Sequence, residues 1–329
     1  MDANMLKTRL DAANYIYDDS LITTLLVALK LGRPLLIEGA AGVGKTEIAK
    51  VMASALDRDL VRLQCYEGLD ESKALYEWNY QKQLLSIQVN MNHSSPDELT
   101  ASLFSDSYLL ERPLLKSIRS EEPVVLLIDE IDKADEEFEA FLLELLAEMQ
   151  VTIPEIGSIR AKTTPFVVLT SNRTRPLSEA LRRRCAYLYL QYPTVEKEVA
   201  IIRAKLPNAN EHLAVQVAQA VHDLRENDAI MKKPSIAETL DWVSALEALG
   251  ISSLTPEAAQ QTRGFILKNS EDFSQLPSVS HHCTHNHEHG HAHSHHCGGH
   301  GHDHTCTCGH TGEDEADRIA RAQQMTEGH

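Results

Sequence analysis

The run Gly39-Ala40-Ala41-Gly42-Val43-Gly44-Lys45-Thr46 reads G-x-x-x-x-G-K-T, a spacing suited to capturing a phosphate chain. Glycines let the backbone curl until successive N–H groups point at phosphate oxygens. A helix beginning where the loop ends adds the positive end of its dipole. The Lys45 ammonium can reach β- and γ-phosphates, and the Thr46 hydroxyl can ligate Mg²⁺. Both flanks agree with this P-loop reading. Residues Pro34 to Glu38 form a short apolar run that reads as a strand, and Thr46 to Leu56 carry helical periodicity.

Three further segments carry chemistry. Residues Val124 to Ile128 read as a buried parallel strand and lead into the carboxylates Asp129 and Glu130. At the C-terminal end of such a strand Asp129 would stand beside the P-loop, where Mg²⁺ needs an oxygen ligand. Glu130, one position on, can orient or activate an attacking water. The apolar run Pro165 to Leu169 continues into the polar tip Thr170-Ser171-Asn172. There Asn172 can touch a γ-phosphate or its water. Leu177 to Cys185 reads as a short helix ending in Arg182, Arg183 and Arg184. Cations favour any helix C-terminus; the alternative is an arginine finger reaching a neighbouring subunit's ATP.

The elements that position these residues follow from periodicity. Residues 1–192 alternate strand-like and helical patterns, which predicts an α/β domain with a parallel sheet and helices on both faces. Tyr192-Pro193-Thr194 breaks the alternation. Residues 193–272 read as about four helices, a small lid-like domain, with Thr255-Pro256-Glu257 as one helix start. Two surface features precede it. Tyr76, Trp78 and Tyr80 alternate with Leu75, Glu77 and Asn79, which suggests a strand with one aromatic face, packed on the core or facing a partner. Met149 to Lys162 suggests a hairpin turning at Pro154 to Gly157.

Residues 273–329 form a low-complexity tail expected to be disordered without a ligand. Its run from 281 to 310 holds thirteen of the 17 histidines. These are His281, His282, His285, His287, His289, His291, His293, His295, His296, His300, His302, His304 and His310. Four cysteines, Cys283, Cys297, Cys306 and Cys308, lie among them. Imidazole suits Ni²⁺, Zn²⁺ and Cu, and thiolates favour Zn²⁺ and Cu(I). Cys306-x-Cys308 is tighter than a zinc knuckle, so several interchangeable sites are expected rather than one structural site. A merely solubilising tail is the alternative, but it needs no cysteine.

Bulk composition narrows the partners. A net charge of −17 argues against general affinity for nucleic acid or anionic membrane. No signal-peptide pattern and no apolar run near the length of a membrane span is seen, so a cytoplasmic location is expected. Cys65 and Cys185 are single cysteines with no sign of a disulfide.

Taken together, the P-loop, the Asp-Glu strand end, the strand-tip Asn, the terminal arginines and the following helices resemble the AAA+ ATPases over about residues 10–270. Within them the chain is similar to the MoxR family, especially the CoxD-type members linked to carbon monoxide dehydrogenase maturation. The runs that carry this are RPLLIEGAAGVGKTEIAK, LQCYEGLDESKALYEWNYQKQLL, VVLLIDEIDKAD, FVVLTSNRTRPLSEALRRRCAYLYLQYP and KKPSIAETLDW. The resemblance implies ATP and Mg²⁺ as ligands and a ring homo-oligomer, a hexamer. It further implies remodelling of a client metalloenzyme and a von Willebrand A-type partner protein. It puts Asn172 at sensor 1 and Arg183 and Arg184 at the arginine-finger position, Arg184 being favoured. It puts the Tyr76–Tyr80 stretch in an insertion facing the ring opening or a partner, and the 149–162 hairpin just before sensor 1. Many relatives carry an Arg as sensor 2 at the start of the third lid helix. Here the region reads Met231-Lys232-Lys233-Pro234-Ser235, so Lys232 or Lys233 would have to substitute. The rival readings are a metal-storage protein with a nucleotide-switched domain and a nucleic-acid-dependent AAA+ motor.

Overall fold

The computed structural model describes residues 1–90 and 103–276. The tail residues read as metal ligands, His281 to His310, lie outside the described residues. Two helices come first, α1 (Ala3–Ala12) and α2 (Asp19–Leu31). Each is capped by an aspartate, Asp2 or Asp18, that accepts a first-turn amide. Then follow β1 (Leu35–Gly39), α3 (Lys45–Leu56), β2 (Leu60–Gln64), α4 (Glu71–Leu75), β3 (Tyr76–Trp78) and α5 (Tyr80–Asn90). After them come β4 (Leu109–Glu111), α6 (Pro113–Arg119), β5 (Val125–Asp129), α7 (Glu136–Glu148), β6 (Gln150–Ile153) and β7 (Gly157–Arg160). The alternating part ends with β8 (Phe166–Ser171), α8 (Glu179–Arg184) and β9 (Ala186–Leu190).

Five strands form one parallel sheet in the order β2-β5-β8-β1-β9. Its central strands β1, β5 and β8 are buried at every position. Continuous apolar runs are what a sheet covered on both faces requires. Alternate residues divide between two cores. Leu35, Ile37, Val125, Leu127, Phe166 and Val168 pack under α1, α2 and α3. Leu36, Leu126, Ile128, Val167 and Leu169 pack under α6 and α7. The expected class, a parallel sheet with helices on both faces, is the observed one. Because the strands are parallel, Gly39, Gln64, Asp129, Ser171 and Leu190 all end at one edge, where α/β sheets bind ligands.

Beyond Leu190 the described chain is helical: α9 (Val195–Lys205), α10 (Glu211–Glu226), α11 (Ile236–Ala248) and α12 (Pro256–Ile266), closed by a 3₁₀ turn over Ser270–Gln275. Leu213, Val217, Val221, Trp242, Val243 and Leu246 centre a separate core. The Trp242 indole N–H donates to Thr262 Oγ1 at 2.7 Å, which satisfies the one polar atom of a wholly buried ring. A buried ion pair, Arg225 to Glu198, joins α10 to α9 at 2.5 and 2.9 Å, and Thr239 Oγ1 of α11 donates to the same carboxylate at 2.7 Å. Leu276 belongs to this core and Phe273 packs against it, so packing runs a few residues past the composition change at 273.

The hairpin read at 149–162 is present as β6 and β7, paired from Gln150↔Arg160 to Ile153↔Gly157. The aromatic alternation is corrected. Tyr76 and Trp78 lie in β3, which pairs with β4, but Tyr80 opens α5. Asn79 ends the strand: its side chain accepts the amide of Lys82 at 3.0 Å, the capping geometry that starts a helix. Trp78 is buried and meets the edge of Phe104 at 5.3 Å between centroids, so it packs in the core instead of lining an open face. No helix among the described residues is long and apolar enough to cross a membrane.

Candidate functional site

The C-terminal edge of the sheet, the P-loop and the helical segment enclose a cavity of about 700 Å³. Its phosphate end is built by Gly39–Thr46. Gly39 has no room for a side chain, since a Cβ there would stand 2.3 Å from the Leu190 carbonyl oxygen of the edge strand. Gly42 adopts φ +79°, and a Cβ would stand 2.2 Å from Ser235 Cβ. The helical segment thus seats directly on the loop, and the Ile236 N–H donates to the Gly42 carbonyl at 3.1 Å. Ala40 and Ala41 supply the turn between, and Val43 is buried beneath it. Gly44 precedes α3, whose first two residues are Lys45 and Thr46.

Lys45 is buried, and its Nζ donates to the carbonyls of Gly39 at 2.9 Å and Ala40 at 2.7 Å. Burial lowers its pKa, while Asp132, Asp129 and Glu130 act in the opposite direction. Thr46 Oγ1 donates to Asp129 Oδ1 at 3.0 Å. The structure therefore brings together the two residues, 83 positions apart, that were read as Mg²⁺ ligands. A hydroxyl and a carboxylate side by side form an oxygen donor set that fits a hard divalent cation.

Asp129 is held from two more sides. The Thr170 hydroxyl donates to Oδ1 at 2.5 Å, and Arg62 donates to Oδ2 through Nη2 at 2.6 Å and Nε at 3.1 Å. Thr170 also accepts the Glu130 amide at 2.9 Å. Glu130 takes a left-handed backbone, φ 57°, which turns its side chain out of the strand line. Three groups meet its carboxylate. Asn172 Nδ2 donates to Oε1 at 3.2 Å, Gln64 Nε2 donates to Oε2 at 2.8 Å, and Lys133 Nζ lies 2.6 Å from Oε2. Asn172 is positioned in turn by Asp132, which accepts its amide at 3.1 Å and receives the Thr174 amide at 2.9 Å and hydroxyl at 2.6 Å. Burial raises the Asp132 pKa, but these hydrogen bonds outweigh it and hold the carboxyl below its ordinary value.

The remaining expected residues lie elsewhere. Arg183 pairs with Glu179 one turn back on α8. Arg184 is exposed, and its side chain pairs with no described residue. Lys232 and Lys233 are not brought to the cavity. Lys233 Nζ is engaged by the Asn227 carbonyl at 2.6 Å, and Lys232 is exposed. The residues that reach the cavity from the start of α11 are Ile236, Ala237 and Leu240, with Lys197, Ile201 and Lys205 from α9. The two lysines are paired across it, to Asp18 at 3.3 Å and to Glu47 at 3.2 Å. Sequence reading missed Gln64, Arg62, Asp132 and Thr170, since their roles come from contacts between residues dozens of positions apart.

Residues 34–185 match the AAA domain (dynein-related subfamily). The chain is 23% identical over 276 residues to an uncharacterised protein of Staphylococcus saprophyticus, covering 81% of this chain and 95% of that one. It is 23% identical over 236 residues to an uncharacterised protein of Staphylococcus haemolyticus, covering 70% and 81%. Among solved structures it is similar to a putative ATPase from Cytophaga hutchinsonii at 17% identity and a TM-score of 0.44, covering 84% of this chain and 91% of that one. It is also similar to the Thermotoga maritima RuvB Holliday junction branch migration motor at 18% identity and a TM-score of 0.44, covering 76% and 69%. The family match spans β1, the P-loop, the Asp129–Glu130 strand end, the Asn172 tip and α8. Residues 34–185 are therefore similar to the AAA domain of the dynein-related subfamily, and the chain carries the P-loop fold of the AAA+ ATPases.

Proposed function

We propose that this protein is an ATP-hydrolysing AAA+ machine of the MoxR type. The observation that carries it is the convergence of three segments at the open end of the P-loop, where Thr46 hydrogen-bonds to Asp129 and Asn172 to the adjacent Glu130. The P-loop amides and Lys45 would bind the phosphates. Thr46 and Asp129 would hold Mg²⁺, which neutralises charge on the phosphate oxygens when bound. Glu130 would accept a proton from, or orient, the attacking water, and Asn172 would fix the Glu130 carboxylate and that water. Arg184, exposed and without a partner among the described residues, would complete the site of a neighbouring subunit in a ring, a hexamer by resemblance. The client is a metalloenzyme, with a von Willebrand A-type partner, and the His/Cys-rich tail binds Ni²⁺, Zn²⁺ or Cu. Support for the client and partner comes from the sequence resemblance, and support for the metals from the ligand chemistry of the tail.

The test is Glu130→Gln. The variant should bind ATP with near wild-type affinity and hydrolyse it at least about a hundredfold more slowly, because the cation and phosphate ligands survive and water activation does not. Calorimetry and phosphate release measure the two. A kcat near wild type would remove Glu130 from the reaction. The same trapped variant, used as bait in an extract of the native host, should retain the client and its partner.

A further inference from the structure

Glu38 is an acid where the sheet wants apolar residues. It sits in β1, whose five positions are all buried, and is itself 2% exposed. A buried carboxylate is costly unless other groups compensate its charge. The compensation here comes from two arginines and a tyrosine on other elements. Tyr187 of β9 donates its hydroxyl to Glu38 Oε2 at 2.9 Å. Arg182 Nη2 stands 3.8 Å from the same oxygen and Arg173 Nε 3.9 Å. The two guanidiniums also lie over aromatic rings, Arg182 over Tyr187 at 5.4 Å and Arg173 over Tyr189 at 5.8 Å.

The sequence positions of these partners matter more than their energy. Glu38 immediately precedes Gly39, where the P-loop begins. Arg173 immediately follows Asn172 and holds a left-handed backbone, φ 62°. A non-glycine residue in that region needs support from its surroundings. Arg182 lies on α8, two residues before Arg184. Glu38 itself does not line the cavity. One buried charge thus ties together the strand that feeds the P-loop, the tip that carries Asn172 and the helix that carries Arg184.

We propose that Glu38 is a positioning residue for hydrolysis, its charge fixing the Asn172 tip and the arginine helix relative to the P-loop. This rests on the cavity being an ATP-hydrolysing site. Glu38 would touch neither nucleotide nor water. Loss of its charge would let Arg173 and Arg182 relax, and small misplacement of reacting groups is enough to slow a reaction markedly.

The experiment uses the full-length chain with Glu38→Gln, which keeps the side-chain volume and an acceptor for Tyr187. The expected result is an unchanged melting temperature, an ATP dissociation constant and KM within about twofold of wild type, and kcat about tenfold lower. Glu38→Asp, retaining the charge, should recover part of the rate. Adding Arg182→Met to Glu38→Gln should cost little more, since both changes remove one contact. A wild-type kcat for Glu38→Gln would overturn the inference. So would a parallel fall in stability, affinity and kcat, which marks general damage to the sheet. The two readings separate cleanly. If wild type hydrolyses ATP and Glu130→Gln does not, the site stands whichever way Glu38→Gln falls. If wild type hydrolyses none, the site reading fails and the inference with it.

Discussion

The floor and the roof of the nucleotide cavity are built on opposite principles. On the floor, at the strand ends, each acid is fixed by its neighbours: Asp129 by Thr46, Thr170 and Arg62, Glu130 by Gln64 and Asn172, Asp132 by Thr174. The roof, at the start of α11, presents Ile236, Ala237 and Leu240, and none of its side chains carries a charge. Its hold on the floor is a backbone hydrogen bond and a steric fit, Ile236 N–H to the Gly42 carbonyl and Ser235 against Gly42. The capping box of Ser235 and Glu238 stiffens that contact by satisfying the first-turn amides of α11. A preorganised polar floor suits charge that develops on phosphate and water. An apolar roof excludes water and follows the shape of the P-loop, but offers the γ-phosphate no cation. Lys197 and Lys205 at the side of the cavity are already paired with Asp18 and Glu47, so a further cation on the γ-phosphate would come from a neighbouring subunit, and Arg184 is an exposed arginine that pairs with no other described residue.

Arg184→Ala should therefore give the largest effect that divides the two surfaces. We expect kcat to fall about 10³-fold with ATP affinity nearly intact, because a guanidinium on the γ-phosphate acts chiefly in the transition state. Lys45→Ala should do the reverse and abolish binding. Mixing the two inactive variants should restore some phosphate release, since one kind of interface then pairs an intact P-loop with an intact arginine. Absence of any rescue in mixed oligomers would show that Arg184 acts within its own subunit, or only in packing.

The roof can be tested by adding what it lacks. The Ile236 Cδ1 atom lies 4.0 Å from where a Gly44 Cβ would be, so a longer cationic side chain from position 236 could extend over the phosphates. Ile236→Arg should raise the preference for ATP over ADP about tenfold, the size of one charge-assisted hydrogen bond. Calorimetry with both nucleotides, in the Glu130→Gln background, reads the ratio. An unchanged ratio would mean that the roof stands too far from the γ-phosphate for any side chain there to sense it, and the comparison would need another explanation.

The same contrast explains what the sequence could reveal. The floor's principal residues are legible because their spacing is local and chemically constrained: Lys45 lies six positions after Gly39, and Asp129 and Glu130 end one apolar run. The residues that hold them are not. Gln64 meets Glu130 across 66 positions, and Arg62 meets Asp129 across 67, through the pairing of β2 with β5. Nothing in the local pattern of either strand announces that pairing. On the roof, the family resemblance pointed to the lysines at 232 and 233 in place of an arginine, but Pro234 and the Ser235 cap begin α11 just beyond them, and the residues facing the cavity are the apolar ones at its start. Period-two aromatics misled at Tyr80 for a similar reason, since the Asn79 cap outweighs the strand pattern.

The smallest expected effect on hydrolysis comes from the tail. Every described residue that lines the cavity lies before residue 241, and the last core residue of the described chain is Leu276. Removing residues 281–329 should leave kcat, ATP affinity and melting temperature unchanged. The same deletion should abolish binding of several Ni²⁺ or Zn²⁺ ions per chain, because it removes fourteen imidazoles and four thiols at once. In the full chain that binding should be strongest above about pH 7 and weaken below about pH 6, since protonated imidazole has no lone pair to donate. Equilibrium dialysis at three pH values, run beside phosphate-release assays on both chains, reads metal and turnover together. Loss of hydrolysis on deletion would make the tail part of the catalytic assembly, and pH-independent binding would point away from histidine as the dominant ligand.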